Sequence, residues 1–256
     1  MRPFPSLIGL ALTFTLLSLV FRLIEKRWAW RRVDVLWWFV TPFFSRVAAL
    51  GAIVTAGVAL AVTRRPVGAP WFRAQPLALQ IVEVLVATDF LGYWIHRAFH
   101  RRPLWRIHAV HHSSEQLDWL AASRVHPLNE LLTRVLQAAP LIVAGFDPRV
   151  VAAAIPLLTL HAIFIHADVP WDFGPLRYLV SSPRFHRWHH TSEWEGLDRN
   201  FAGLFPWIDL LFGTFYMPQG QSPRAFGVRD GVPHGFARQL LYPLLPEPKK
   251  NSSGGG

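Results

Sequence analysis

Long apolar runs alternate with short basic or tryptophan-rich stretches along this 256-residue chain. The first run, residues 7–24, is long enough to cross a bilayer as a helix. It is followed by Glu25-Lys26-Arg27-Trp28 rather than a small-residue cleavage site, and so reads as a retained span. Residues 34–46 hold Trp37, Trp38, Phe39, Phe43 and Phe44, a composition suited to the membrane interface. A second, short span is expected over 47–62, a turn at Arg64-Arg65-Pro66 with Gly68 and Pro70, and a third span over 76–99. Residues 128–145 and 150–167 form an apolar hairpin broken at Gly145-Phe146-Asp147-Pro148. Pro140 and Pro156 lie inside its arms and predict kinks or re-entrant geometry. From Asp168 onward the chain is mixed, tryptophan-rich and interfacial or cytoplasmic in character, and residues 251–256 read as disordered. The pattern predicts an all-α protein: a polytopic bundle of four or five membrane-embedded helices with a histidine-rich cytoplasmic cap.

Composition sharpens this picture. Hydrophobic residues make up 52% and charged residues 16%, against about a quarter charged in soluble domains. There is no cysteine, which removes disulfides, thiolate zinc sites and iron–sulfur clusters and leaves any metal to nitrogen or oxygen donors. The net charge of +10 comes from residues that flank the apolar runs. That placement fits membrane topology and anionic headgroups, and no nucleic-acid-binding motif accompanies it. Arg22, Lys26, Arg27, Arg31, Arg32 and Arg46 follow the first span, and Arg97, Arg101, Arg102 and Arg106 follow or end the third. The positive-inside rule places both segments in the cytoplasm.

The candidate chemistry lies in the twelve histidines. His96 and His100 form H-x-x-x-H; His108, His111 and His112 form H-x-x-H-H; His186, His189 and His190 form a second H-x-x-H-H. Residues three and four apart share a helix face, so each cluster presents its imidazoles together. Eight imidazoles on three short faces are enough to enclose two metal ions. Imidazole suits zinc, copper, iron and nickel, so ligand type does not select the metal. His161 and His166 end the last apolar run but stand about 140° apart on a regular helix. His166, where the run stops, is the better ligand candidate, with His161 less certain. His126 is more readily a supporting residue than a ligand, and His234 an ordinary polar residue. H-E-x-x-H, Glu-x-x-His, nucleophile-elbow and phosphate-loop motifs are absent. A polytopic metal transporter and a bis-histidine haem protein are competing classes. Transporters place ligands near the bilayer midplane, whereas these motifs lie at span ends, and paired H-x-x-H-H boxes exceed what haem needs.

Asp89-Phe90-Leu91-Gly92-Tyr93-Trp94-Ile95-His96 through His100, residues 104–114 around His108, and Ser182-Pro183-Arg184-Phe185-His186 through His190 resemble the three histidine boxes of the fatty acid hydroxylase superfamily, which includes sterol desaturases and alkylglycerol monooxygenases. Asp198-Arg199-Asn200-Phe201 and Asp209-Leu210-Leu211-Phe212-Gly213-Thr214 resemble the segments that follow. Two departures are visible: the pair usually four apart is here His161 and His166, five apart, and the tryptophan usually preceding the Asp209 segment stands at Trp207. The resemblance implies two iron ions, with zinc as a possible substitute. It also implies molecular oxygen, an electron donor of ferredoxin or cytochrome b5 type, and hydroxylation or desaturation of a lipid-like substrate (a sterol, fatty acyl chain, carotenoid or ether lipid). It implies a catalytic region over 76–217, preceded by N-terminal spans and an interfacial segment over 1–75 and followed by a tail over 218–256. Asp89, Asn200 and His126, with Glu115 and Asp118, are candidates to orient the imidazole N–H groups from behind.

Overall fold

The computed structural model describes residues 6–28, 30–228 and 231–246. The expected disordered end, 251–256, lies outside the described residues. Helix α1, Leu7–Glu25, is capped by Ser6, whose side chain accepts from the Gly9 N–H. Helix α2, Arg32–Thr63, is followed by the short α3, Pro70–Arg73, and by α4, Leu77–Phe99. The first cap helix is α5, Trp105–His112. Helices α6, Pro127–Ala144, and α7, Pro148–Ile165, form the hairpin, each with proline at its first position. The remaining cap helices are α8, Pro183–His189, α9, Trp207–Leu211, and α10, Phe236–Leu241. The described residues form no named strand, only one isolated bridge between Thr191 and Phe226.

Four helices, α1, α2, α4 and α7, are long and apolar enough to cross a membrane. Their exposed side chains are large hydrophobics, such as Leu12, Leu16 and Leu19 on α1 and Leu50, Val54 and Val58 on α2. Helix α6 runs the same course in the opposite sense to α7. Its first turn lies beside the histidines, where Asn129 meets His108, and its end reaches the α2–α3 turn, where Ala69 N–H donates to Gly145 C=O at 2.7 Å. The Gly145 turn is left-handed (φ 108°), and a Cβ there would stand 2.7 Å from that of Ala69, so only glycine fits. On α6 the buried Glu130 accepts from Arg134 Nε at 2.8 Å.

The separate interfacial segment and short second span are replaced by one 32-residue helix, α2. The physical reason is where its aromatic end goes. Trp37 is fully buried and donates to Gln239 Oε1 at 2.9 Å, and Thr41 donates to Ser123 C=O. A helix of 32 residues is about 48 Å long, more than a bilayer core requires, so its first turns stand inside the cap. Pro140 and Pro156 fall inside α6 and α7, and both helices continue through them.

Ala48, Ala52, Ala56 and Leu60 repeat every fourth residue on α2 and are buried, the last two against Ala139 and Ile142 of α6. Small residues let the two backbones approach closely, the packing mode that works where lipid is the solvent. Ala56→Leu should therefore lower stability by about 1–3 kcal/mol through overpacking. Val58→Leu, on the exposed face, should leave it unchanged. Unfolding of the two variants in detergent checks this, and equal midpoints would be the contrary result.

Candidate metal centre

Nine histidines converge where α4 and α7 end and the cap begins, in two groups. His96, His100, His108, His112 and His189 form the first; His111, His166, His186 and His190 form the second. The groups abut: the His112 and His190 ring centroids are 4.3 Å apart. Within each group the candidate ligand atoms all lie within 4.8 Å of one another. Two opposite nitrogens bound to one ion at about 2.1 Å would be about 4.2 Å apart, so each group needs little contraction to enclose an ion.

Each H-x-x-H-H box divides its histidines between the two groups. On α5, His108 and His112, one helical turn apart, enter the first group, and His111 turns to the second. On α8 the assignment reverses: His186 and His190 enter the second group and His189 the first. This corrects the expectation of one shared face per box. In H-x-x-H-H the spacings of three and four straddle the helix face, and the two adjacent histidine groups divide the spread.

Hydrogen bonds on the far nitrogen fix the tautomers. A carbonyl or carboxylate oxygen only accepts, so the facing Nδ1 carries the proton. His96 Nδ1 donates to Phe201 C=O at 2.8 Å, His108 to Asn129 Oδ1 at 2.8 Å and His189 to Arg199 C=O at 2.8 Å. His111 donates to Arg124 C=O at 3.2 Å, His166 to Ala162 C=O at 2.6 Å and His100 to Asp198 Oδ1 at 3.0 Å. The Nε2 atoms of these rings therefore hold bare lone pairs. Yet His96 Nε2 faces His108 Nε2 at 3.0 Å, and His111 Nε2 faces His166 Nε2 at 3.3 Å. Two lone pairs at that distance repel unless a cation lies between them. Cis nitrogens on one ion stand about 3.0–3.4 Å apart, so the observed spacing fits a metal and not a hydrogen bond. The buried Nε2 of His100 has no hydrogen-bond partner, as a ligand atom would.

Burial pushes the pKa of His108, His111, His112, His186, His189 and His190 well below the ordinary histidine value, with neighbouring imidazoles adding to the shift. Burial lowers His166 to about 4. These rings are neutral at pH 7 and available as ligands.

Other predicted residues lie outside the groups. His161 Nε2 donates to Ser181 Oγ at 2.8 Å, and Ser181 donates on to Gly203 C=O. His126 caps α6, accepting from Leu128 N–H, and its Nε2 donates to Leu240 C=O. His234 joins neither group. Asp89 and Asn200 act on backbone, which corrects the expectation that they orient imidazoles directly. Asp89 accepts from the N–H groups of Gly203, Leu204 and Phe205. Asn200 donates to Phe185 C=O and Tyr216 C=O and accepts from Tyr216 N–H. Asp118 caps the turn Trp119–Ser123 and pairs with Arg31 at 2.8 Å. The side chains that hold imidazoles of the two groups from behind are Asn129 and Asp198. Asn129 was legible only as a polar residue inside an apolar run, and Asp198 as part of the Asp198-Arg199-Asn200-Phe201 motif.

That motif has a geometric basis. Asp198 and Asn200 both take left-handed backbone, φ 55° and 58°, which Asp and Asn tolerate best among residues with a Cβ. The alternation presents the carbonyls of Arg199 and Phe201 to His189 and His96.

The profile of the fatty acid hydroxylase family matches residues 81–214, which hold all nine histidines. This chain belongs to the fatty acid hydroxylase family. It is 35% identical over 185 residues to the ornithine lipid hydroxylase OlsE of Rhizobium tropici, covering 72% of this chain and 56% of that protein. It is 35% identical over 168 residues to alkylglycerol monooxygenase of Danio rerio, covering 62% and 36%. Very-long-chain aldehyde decarbonylase GL1-6 of Oryza sativa is 29% identical over 164 residues, covering 57% and 24%. The chain thus spans about half or less of these relatives. No solved structure matches.

Two outcomes follow from this geometry. Asn129→Ala, which frees His108 without touching a ligand, should weaken metal binding by about 10- to 100-fold; unchanged retention against a chelator would refute the role. The metal-free protein should also lose stability with acid. Above pH 6.5 the buried rings are neutral in both the folded and the unfolded state, and stability is level. Below 6.5 the unfolded chain gains protons that the folded rings refuse, so stability falls as pH drops toward the His166 value of about 4. A thermal midpoint in detergent that stays flat from pH 7 to 5 would contradict this.

Proposed function

We propose that this chain is a membrane-embedded di-iron oxygenase that hydroxylates a C–H bond of a polar lipid. The observation carrying the reading is the pair of abutting imidazole groups whose bare Nε2 atoms face one another at metal-bridged spacing. His96, His100, His108, His112 and His189 would hold one iron, and His111, His166, His186 and His190 the other. When bound, such a pair supplies oxygen activation with electrons from an external one-electron donor of ferredoxin or cytochrome b5 type. Zinc would occupy the same donors without redox chemistry.

The protein's own part is geometric and electrostatic. Hydrogen bonds on the Nδ1 side of His96, His100, His108, His111, His166 and His189 fix those rings and leave their inward-facing nitrogens unprotonated, and burial excludes water. The all-imidazole shell carries no charge of its own, so anions are not built into it.

Depth in the membrane bears on the substrate. The histidine groups lie at the ends of α4 and α7, level with the start of the cap, and not midway along the spans. A lipid in the adjoining leaflet would present carbons near its headgroup there, while its chain end lies deeper. The relatives' names, an ornithine lipid hydroxylase and an alkylglycerol monooxygenase, are consistent with a substrate that reacts near its headgroup. Arg27 and Arg31 pair with Asp168 and Asp118 beside the histidines, and Arg97 lies on the last turn of α4, which supports a cytoplasmic active site.

Two measurements test this reading. Purified, folded protein should hold about two metal ions per chain, with iron required for activity; one ion or none would sink the assignment. Lipid profiles of a host with and without the gene should differ by species heavier by one oxygen atom, absent when His186→Ala replaces the native protein. A product lacking two hydrogens instead would replace hydroxylation by desaturation.

A further inference from the structure

Two segments of the cap reach far down the spanning helices. Helix α4 has 23 residues and is about 35 Å long, and crossing the hydrocarbon takes about 20 residues. Counted from Leu77, the stretch from Asp89 to Trp94 falls inside that length, yet it is the stretch the cap touches. Asp89 accepts from Gly203, Leu204 and Phe205 N–H. The Phe212 ring lies 6.1, 5.2 and 4.8 Å from the rings of Phe90, Tyr93 and Trp94. Helix α7 gives the same result independently. Its 18 residues are about 27 Å long and leave none to spare. His161, inside that length, is bonded to Ser181.

What these segments show outward fits that depth. Leu176, Leu179 and Val180 precede Ser181, Leu210 and Leu211 precede Phe212, and all five are exposed; Leu211 is 66% and Leu179 56% open. They lie outside the four helices long and apolar enough to cross a membrane. The backbone fits as well. Non-helical chain at membrane depth needs its polar groups satisfied within the protein. The five successive N–H groups of residues 201–205 all donate to two buried carboxylates, Asp209 and Asp89. The Ser181 hydroxyl donates to Gly203 C=O and the Ser181 N–H to Leu204 C=O, which ties the two segments together.

We propose that residues 176–181 and 201–212 form one wedge sunk in the leaflet on the histidine side, with the acyl chains of that leaflet covering Leu176, Leu179, Val180, Leu210 and Leu211. The inference rests on α4 and α7 crossing the bilayer and is independent of the metal reading. The occupant is lipid because the wedge joins surface that faces hydrocarbon in any spanning arrangement: Phe90 and Trp94 on α4 beside Phe212, and Leu157 and Leu160 on α7 beside His161, all exposed.

The chain has no cysteine, so single labels can be placed without other change. Leu179→Cys and Leu211→Cys, each carrying a nitrobenzoxadiazole label, are compared in phosphatidylcholine nanodiscs with Leu16→Cys on the exposed side of α1 and Gln221→Cys on the exposed surface of the cap. Both test labels should be quenched by lipids spin-labelled on the acyl chain, as at position 16, and should lose the iodide quenching seen at position 221. Iodide quenching equal to that at position 221 overturns the proposal. So does a label shielded from both quenchers, which would mean that a second copy of the chain or another protein covers this face. If the cysteine variants do not fold, the unaltered protein decides, in nanodiscs that contain a phosphatidylcholine with a photoactivatable diazirine on its acyl chain. Peptides holding 176–180 and 210–211 should then carry lipid adducts together with those of α1; adducts on α1 without them refute the wedge.

Discussion

Bare imidazole lone pairs held about 3 Å apart, as between His96 and His108 and between His111 and His166, repel one another, and much of the surrounding structure is arranged to keep them there. Each hydrogen bond on an outer nitrogen removes the proton that would otherwise relieve the repulsion from the inner one. Without a cation the arrangement costs energy; with one, the same geometry becomes a preformed shell. A metal bound there would couple folding to binding, as in sites whose ligands must be deprotonated before they bind.

Buried acidic and amide side chains supply the rigidity, and they act mostly on backbone. Asp89 gathers three successive N–H groups of residues 203–205, and Asp209 takes those of Phe201 and Ala202 together with the Thr214 hydroxyl. Asn200 ties the end of this loop to Phe185 and Tyr216. The loop thus fixed is the one whose carbonyls receive His96 and His189. On the opposite side the N-terminal helices perform the same service. Asp34, fully buried on α2, takes Arg124 at 2.7 Å, and the Arg124 carbonyl receives His111. Glu25 accepts from Trp119 and Asp168 N–H groups, anchoring the segment just past His166. Glu25 and Asp34 precede the region matched by the family profile, yet they help brace the second imidazole group.

The membrane explains why the site stands where it does. Imidazoles and their polar supports are costly in hydrocarbon, and the spans that carry them end as they begin. Helices α4 and α7 each deliver a histidine at the C-cap, His100 and His166, so these imidazoles stand at the ends of the apolar helices and not midway along them.

The local code was legible from sequence because it is periodic and chemically uncommon. Apolar runs located α1, α4, α6 and α7 closely. Histidines at three- and four-residue spacing, with no cysteine, pointed to a nitrogen-ligated metal centre, and helix geometry favoured His166 over His161. Tertiary structure alone decided how the donors are shared. A spacing of three or four residues states that two imidazoles lie near one face, but the imidazoles that complete each group come from other helices, and no one-dimensional pattern contains those helices' orientation. The same limit applies to Asn129, Asp198 and Asp34. Their partners lie between 21 and 98 residues away, and a single polar residue in sequence carries no sign of which distant atom it will meet. It applies also to α2, where an aromatic run has the same composition at a membrane interface as in the protein interior, and only the packing of Trp37 against Gln239 distinguishes the two.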